Sequence, residues 1–246
     1  MIKIYKIVRK RNNKNDKVPY HSKKDLEELA IKTLTEYNID LINNAAPIPI
    51  ESIMEQYYNL ELDFQYLSSD GSVLGLTAFE TGYLEVYNPD LNKFYPIDIS
   101  SGTIIIDSAL AESNNYGRYR FTCGHEFGHW KLHKELFFTE NKTLFQNQLY
   151  VKCLNRDVEK SIDRQNKTSK DWIEWQADYF SSALLMPYPT IREYFDKCKK
   201  SMLKDITDEL YSEYTLNNKV IEQMSNYFEV SKEAMRIRLF NLNLIS

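Results

Sequence analysis

The pentad His125-Glu126-Phe127-Gly128-His129 places two histidines four positions apart, with a glutamate directly after the first. Residues four apart lie on one face of an α-helix, so both imidazoles can reach a single zinc ion. Glu126 would then stand beside the metal, where its carboxylate can take a proton from a water molecule. The pentad therefore predicts a helix with a catalytic zinc site; the alternative is a solvated helix with incidental histidines.

The third metal ligand does not follow from the pentad alone. A catalytic zinc commonly has three protein ligands and one open position. In one zincin class the third ligand ends the pattern H-E-x-x-H-x-x-G-x-x-H, but here Leu132 occupies the glycine position and Glu135 the last position. Leucine does not favour the sharp turn that glycine allows, which argues against Glu135. His133 lies about 12 Å from His125 along a continuous helix, so we expect it to support the site rather than bind the metal.

A second predicted helix supplies a better candidate. Residues 171–187 have apolar positions at helical spacing, and the segment ends at Pro187. Within it, Glu174 and Asp178 are four residues apart and share a face. Two neighbouring carboxylates repel each other unless a cation lies near them. Zinc on Glu174 and a histidine N–H on Asp178 would satisfy both; the alternative is a solvated acidic edge of an amphipathic helix.

The two motifs together resemble the ImmA/IrrE metallopeptidases, which are similar to small gluzincins. That family has a pattern like R-F-T-x-A-H-E-x-G-H-x-x-L-H, followed by E-x-x-A-N/D-x-F-A-x-x-L-L-M-P. This chain follows the first pattern over residues 120–133 and the second over residues 174–187. It departs at Cys123-Gly124, and at Ser181, where alanine is usual. Neither departure affects a candidate ligand.

The resemblance covers about residues 45–246, and it implies a zinc-dependent endopeptidase of zincin-like fold. By that analogy the substrate is a cytosolic DNA-binding repressor, such as one of the helix-turn-helix class, that is cleaved to release a stress or mobile-element response. The predicted site consists of the metal ligands His125, His129 and Glu174, the catalytic base Glu126, and the supporting residues Asp178 and His133.

Two other functions remain open from the sequence. A non-catalytic regulator or antitoxin could use the same fold to bind a protein partner, but such a protein has no need of the base Glu126. A structural zinc protein is disfavoured because two histidines and one glutamate leave an open coordination position.

Composition limits the class of protein. The chain has 246 residues, 43% of them hydrophobic, which suits one domain or one domain with a small appendage. A net charge of −4 argues against wholesale nucleic-acid binding. We find no apolar run of membrane-spanning length and no signal peptide, so we expect a cytoplasmic protein.

Three widely spaced cysteines indicate reduced thiols. Cys123 is either an oxidant-sensing or metal-binding thiol or a small buried residue.

The pattern along the chain predicts an α+β fold in three parts. A basic N-terminal segment and a helix capped by Ser22 occupy residues 1–45, the zincin-like catalytic core occupies residues 46–190, and a C-terminal helical region occupies residues 191–246. Alternating apolar residues predict a small, largely antiparallel sheet beside the metal helix. Its strands are expected over residues 60–66, 72–79, 83–88 and 103–107.

Two further segments have open interpretations. Residues 134–170 are polar and irregular, and we expect them to border the active-site cleft. Helices are predicted over residues 190–201, 204–215, 219–228 and 232–241. The last two resemble a helix-turn-helix hairpin that either docks on DNA or a repressor or packs on the core. Residues 219–246 hold four basic and three acidic residues, a balance that favours packing.

Overall fold

The computed structural model of the chain describes residues 18–112, 115–138, 150–154, 168–205 and 212–246. Three predictions therefore lie partly outside the described residues. They are the basic N-terminal stretch, the polar segment between the two motif helices, and the centre of the helix expected at 204–215.

Helices occupy most of the described chain. Their bounds are α1 (Lys23–Tyr37), α2 (Asp40–Asn43), α3 (Ile50–Ser52), α4 (Ser108–Ala111), α5 (Tyr116–Phe138), α6 (Ser169–Leu185), α7 (Tyr188–Asp205), α8 (Glu213–Phe228) and α9 (Lys232–Asn241). A π-helical turn, Ile53–Tyr57, continues α3. Ser22 caps α1 as predicted: its hydroxyl accepts the backbone N–H of Asp25, whose carboxylate accepts the backbone N–H of Ser22.

The strands form one main sheet and one separate ribbon. Their bounds are β1 (Glu61–Gln65), β2 (Val73–Ala78), β3 (Gly82–Asn88), β4 (Lys93–Ile99), β5 (Thr103–Asp107) and β6 (Tyr150–Leu154). The main sheet has the order β1-β5-β2-β6. Strand β2 is antiparallel to both of its neighbours, while β1 and β5 are parallel. The predicted α+β, zincin-like fold is confirmed.

The structure corrects one strand prediction and adds one strand that was not predicted. Residues 83–88 do not join the main sheet; they belong to β3, which pairs with β4 in a two-stranded ribbon. Strand β4 was not predicted because its residues are mostly exposed and Pro96 interrupts the pattern. Proline is compatible with a strand only at an edge, and β4 is such an edge.

The segment 134–170 is less irregular than predicted. Helix α5 continues to Phe138, and β6 adds a fourth strand beside β2. The alternation of buried Val151 and Cys153 with Lys152 is too short to be recognised as a strand without its partner. At the C-terminus, α7 extends to Asp205 and α8 begins at Glu213, so the described ends of the predicted helix 204–215 belong to these two helices.

One hydrophobic cluster joins α1, α5, α6, α8 and α9. Arg238 of α9 is fully buried; it forms a two-pronged ion pair with Glu27 of α1 and donates a hydrogen bond from Nε to the carbonyl of Met186. These contacts hold α1 and α9, the first and last described helices, against the C-terminal end of α6. The division of the chain at residues 45 and 190 stays a prediction.

No helix in the described part of the chain is both long enough and apolar enough to cross a membrane.

Candidate metal centre

The pentad lies in the middle of α5, where it faces α6. His125 and His129 are each at most 1% exposed, and their Nε2 atoms are 2.9 Å apart. This spacing follows from the helical repeat, which brings side chains four residues apart onto one face. The structure therefore brings the two predicted histidine ligands together.

Glu174 approaches the same point from α6. Its Oε2 atom is 3.2 Å from Nε2 of His125 and 3.5 Å from Nε2 of His129. Tetrahedral zinc with bonds of about 2.0–2.1 Å separates its ligand atoms by about 3.3–3.4 Å. The two distances to Glu174 are close to this value, and the 2.9 Å between the two Nε2 atoms is shorter. Neither oxygen of Glu174 accepts a hydrogen bond from a described residue, although this side chain is buried.

Asp178 lies one helical turn after Glu174 and contacts the far side of His125. Its Oδ1 atom is 2.7 Å from Nδ1 of His125. A carboxylate at that distance accepts the Nδ1 proton, so Nε2 carries the electron pair whenever the imidazole is neutral. Asp178 thus lies beside one of the two candidate ligand histidines.

His133 lies one turn after His129 and contacts it, not the metal position. The two Nδ1 atoms are 3.0 Å apart, and Nε2 of His133 is 3.0 Å from Oε1 of Gln176. Burial, together with the neighbouring His129, lowers the pKa of His133 well below its ordinary value, so this imidazole is neutral.

The donor atoms of the three converging groups form a set that could hold a metal ion. Burial opposes the charge on Glu174, yet the His129 and His125 imidazoles hold the pKa of this carboxyl well below its ordinary range. Where both imidazoles are neutral and protonated at Nδ1, the carboxylate oxygen and the two Nε2 atoms, all within 3.5 Å, would present electron pairs to one another. Such an arrangement is unfavourable in a buried site unless a positive ion lies among them. A His₂Glu donor set is one that catalytic zinc uses, so the residues fit this metal.

Glu126 is completely buried beside the metal position. Its Oε2 atom accepts a hydrogen bond of 2.6 Å from the hydroxyl of Thr77, whereas Oε1 has no partner among the described residues. Burial raises the pKa of Glu126, although the two imidazoles partly offset this effect. A raised pKa brings a carboxylate closer to the range in which it exchanges protons at neutral pH.

The main sheet supplies room for this glutamate. A Cβ atom on Gly75 of β2 would lie 2.7 Å from Oε1 of Glu126, closer than real contacts allow. Thr77 lies two residues further along the same strand. Neither residue can be recognised as part of the site from the sequence, because nothing in the local pattern of β2 distinguishes them from other strand residues.

Cys153 of β6 is another neighbour of the site, and its sequence position alone does not indicate this. Its sulfur lies within 4.8 Å of ligand atoms of His125 and Glu126. Burial raises the pKa of the Cys153 thiol to about 11, so the group is protonated at neutral pH. Glu135, the ligand of the alternative zincin class, is exposed and takes no part in the His125, His129 and Glu174 cluster.

The two departures from the family pattern compensate each other. Gly124 faces Ser181, and a Cβ atom on residue 124 would lie 2.5 Å from the serine Oγ. That hydroxyl donates a hydrogen bond of 2.9 Å to the carbonyl of Phe121. Because glycine makes room for the larger serine, α5 and α6 keep their close packing.

We expect the three cysteines to be nearly inert in the folded protein. Cys123, Cys153 and Cys198 are each at most 4% exposed, and burial raises the pKa of all three thiols. For Cys153 the thiolate fraction falls about 300-fold relative to a free cysteine of pKa about 8.5. A chromogenic disulfide reagent at pH 7.5 should react with three thiols in denaturant and with essentially none under native conditions. Rapid native modification of Cys123 would instead favour its role as an oxidant sensor.

Comparison with known proteins relates this site to a peptidase family. Residues 147–240 match the model of the family Peptidase_M78, described as the IrrE N-terminal-like domain. The matched segment includes Glu174 and Asp178 but not the pentad. No curated protein sequence matches the chain.

Among solved structures, a Mycobacterium tuberculosis transcriptional regulator is similar, with 14% sequence identity and a TM-score of 0.46. The match covers 87% of this chain and 46% of the regulator, so this chain spans about half the length of that protein. The family match agrees with the resemblance predicted from the two motifs: residues 147–240 are similar to the IrrE N-terminal-like domain of the Peptidase_M78 family.

Proposed function

We propose that the chain is a zinc-dependent endopeptidase in which His125, His129 and Glu174 hold the metal. The observation that carries the proposal is the convergence of these three ligand atoms within 3.5 Å, directly beside the buried carboxylate of Glu126. Zinc bound there would polarise the scissile carbonyl and lower the pKa of a water molecule to about 7.

Glu126 is the proposed catalytic base. Thr77 holds its Oε2 atom, which leaves Oε1 to accept the proton of the attacking water. The same oxygen then returns the proton to the leaving amine. A pure binding protein would need neither this base nor the space that Gly75 provides for it, which favours a peptidase over a non-catalytic regulator or antitoxin.

We further propose that the substrate is a cytosolic DNA-binding repressor, and that cleavage releases a stress or mobile-element response. The support is the family resemblance, which also suggests a protein substrate rather than a small molecule. The basis for favouring a protein partner over DNA is the C-terminal hairpin. The guanidinium of Arg238 in α9 forms a buried ion pair with Glu27, so it does not face a nucleic acid. Both helices of the hairpin contribute side chains to the main core.

The direct test is cleavage of candidate helix-turn-helix repressors by the purified, zinc-loaded chain. Intact mass spectrometry should show two complementary fragments whose masses sum to that of the repressor plus one water. A chelator should stop the reaction, and about one equivalent of zinc should restore it. Stoichiometric binding of a repressor without any cleavage, in the zinc-loaded protein, would support the non-catalytic regulator instead.

Replacing Asp178 with asparagine should weaken zinc binding by about 10–100-fold, the usual effect of losing a carboxylate that orients a ligand histidine. The reason is the 2.7 Å contact with Nδ1 of His125. Competition with a chromophoric chelator measures the affinity. The matched control is Asp196→Asn, which changes an exposed aspartate of α7 and should be silent. Equal affinities in the two variants would make Asp178 a surface carboxylate only.

A further inference from the structure

We infer that His133 and Gln176 are positioning residues that hold His129 in the tautomer needed for metal binding. The inference rests on the proposed metal site, and it concerns a chain of hydrogen bonds that ends at the backbone of Pro19. Each of the three side chains is at most 1% exposed, so bulk water does not compete for these hydrogen bonds.

The direction in which protons are donated along this chain of hydrogen bonds is set at Pro19. The carbonyl oxygen of this residue can only accept, and it lies 2.9 Å from Nε2 of Gln176. The amide nitrogen of Gln176 therefore faces Pro19, and its oxygen faces Nε2 of His133 at 3.0 Å. Since an amide oxygen only accepts, Nε2 of His133 carries the proton.

The protonation of His133 then determines that of His129. In a neutral imidazole with a proton on Nε2, Nδ1 carries the electron pair. Nδ1 of His129 lies 3.0 Å away and must donate to it. The proton of His129 thus resides on Nδ1, and Nε2 presents its electron pair to His125 and Glu174. The opposite tautomer would place a proton at the metal position.

The two ligand histidines are therefore oriented by different means. Asp178 holds His125 with a negative charge, whereas His129 is held by a neutral imidazole and a neutral amide. These neutral groups add no further carboxylate to a site that already contains Glu126, Glu174 and Asp178. It also joins α5, α6 and the segment before α1 through buried hydrogen bonds.

The test compares a variant that keeps the acceptor for His129 with one that removes it. His133→Asn places an amide oxygen near the position of Nδ1, whereas His133→Leu has nearly the same volume but no acceptor. We expect His133→Leu to weaken zinc affinity by about 10–100-fold and His133→Asn to stay within about threefold of the wild type. Gln176→Leu should resemble His133→Leu, since it frees His133 to change tautomer.

A double-mutant cycle adds a readout that a merely structural role would not affect. If His133 and Gln176 act through the same series of hydrogen bonds, Gln176→Leu should change zinc affinity little once His133→Leu is present. Additive losses, or a His133→Asn variant as weak as His133→Leu, would overturn the inference.

Nitrogen-15 NMR of the ring nitrogens of zinc-free protein checks the tautomer directly. His129 should be protonated at Nδ1 in the wild type and shift toward Nε2 protonation in His133→Leu. An Nε2-protonated His129 in the wild type would overturn the inference. This measurement is independent of the proposed function, whose own failure would appear as a wild-type chain that binds no zinc.

Discussion

The variant Glu126→Gln is expected to lose peptidase activity while it retains its metal. Glutamine keeps the size of the side chain and can still accept the hydrogen bond from Thr77, but it cannot take a proton from water. The cleavage rate should fall at least about 100-fold, the lower range for the loss of a general base. Fragment accumulation measured by mass spectrometry gives the rate, and elemental analysis gives the zinc content.

The same substitution on the exposed side of α5 provides the control. Glu135→Gln makes an identical chemical change nine residues along the helix, at an exposed position. It should leave both rate and zinc content unchanged, and it also tests the ligand of the alternative zincin class. A Glu126→Gln variant that cuts its substrate at the wild-type rate would refute the proposed mechanism.

Replacing Glu174 with glutamine is expected to remove most of the zinc. The change removes the only anionic member of the proposed ligand set while keeping its shape. The loss of affinity should exceed about 100-fold, the upper range for a residue that only orients a ligand. Full zinc retention by Glu174→Gln against a competing chelator at micromolar protein would contradict the three-ligand assignment.

Thermal unfolding separates this loss of metal from a loss of fold. At free zinc about 100 times its Kd, binding stabilises the wild type by about 2.7 kcal/mol, which raises the Tm of a chain of this size by about 5–10 °C. Glu174→Gln should show no such increase. Its zinc-free Tm should be somewhat lower than that of the wild type, because the imidazoles that lower the pKa of Glu174 stabilise its charged form in the folded chain.

The sequence by itself determined the local features of this protein. The four-residue spacing of His125 and His129 places them on one face wherever the helix lies, because the repeat of the α-helix is local. The cap at Ser22 is local for the same reason. Glu174 was predicted as a metal ligand because its carboxylate and that of Asp178 repel each other without a cation, and because of the family resemblance. The assignment of these residues as metal ligands stays a proposal, but the structure does bring them together.

Only the tertiary structure decided which distant residues complete the site. Thr77 and Gly75 reach Glu126 from a strand about fifty residues earlier in the chain, and Gln176 connects His133 to Pro19. The ribbon partner β4 and the edge strand β6 likewise became recognisable only through the strands with which they pair. The physical reason is the same in each case. A hydrogen bond or strand pairing between distant segments depends on how the elements pack, and packing leaves no periodic signal in either segment alone.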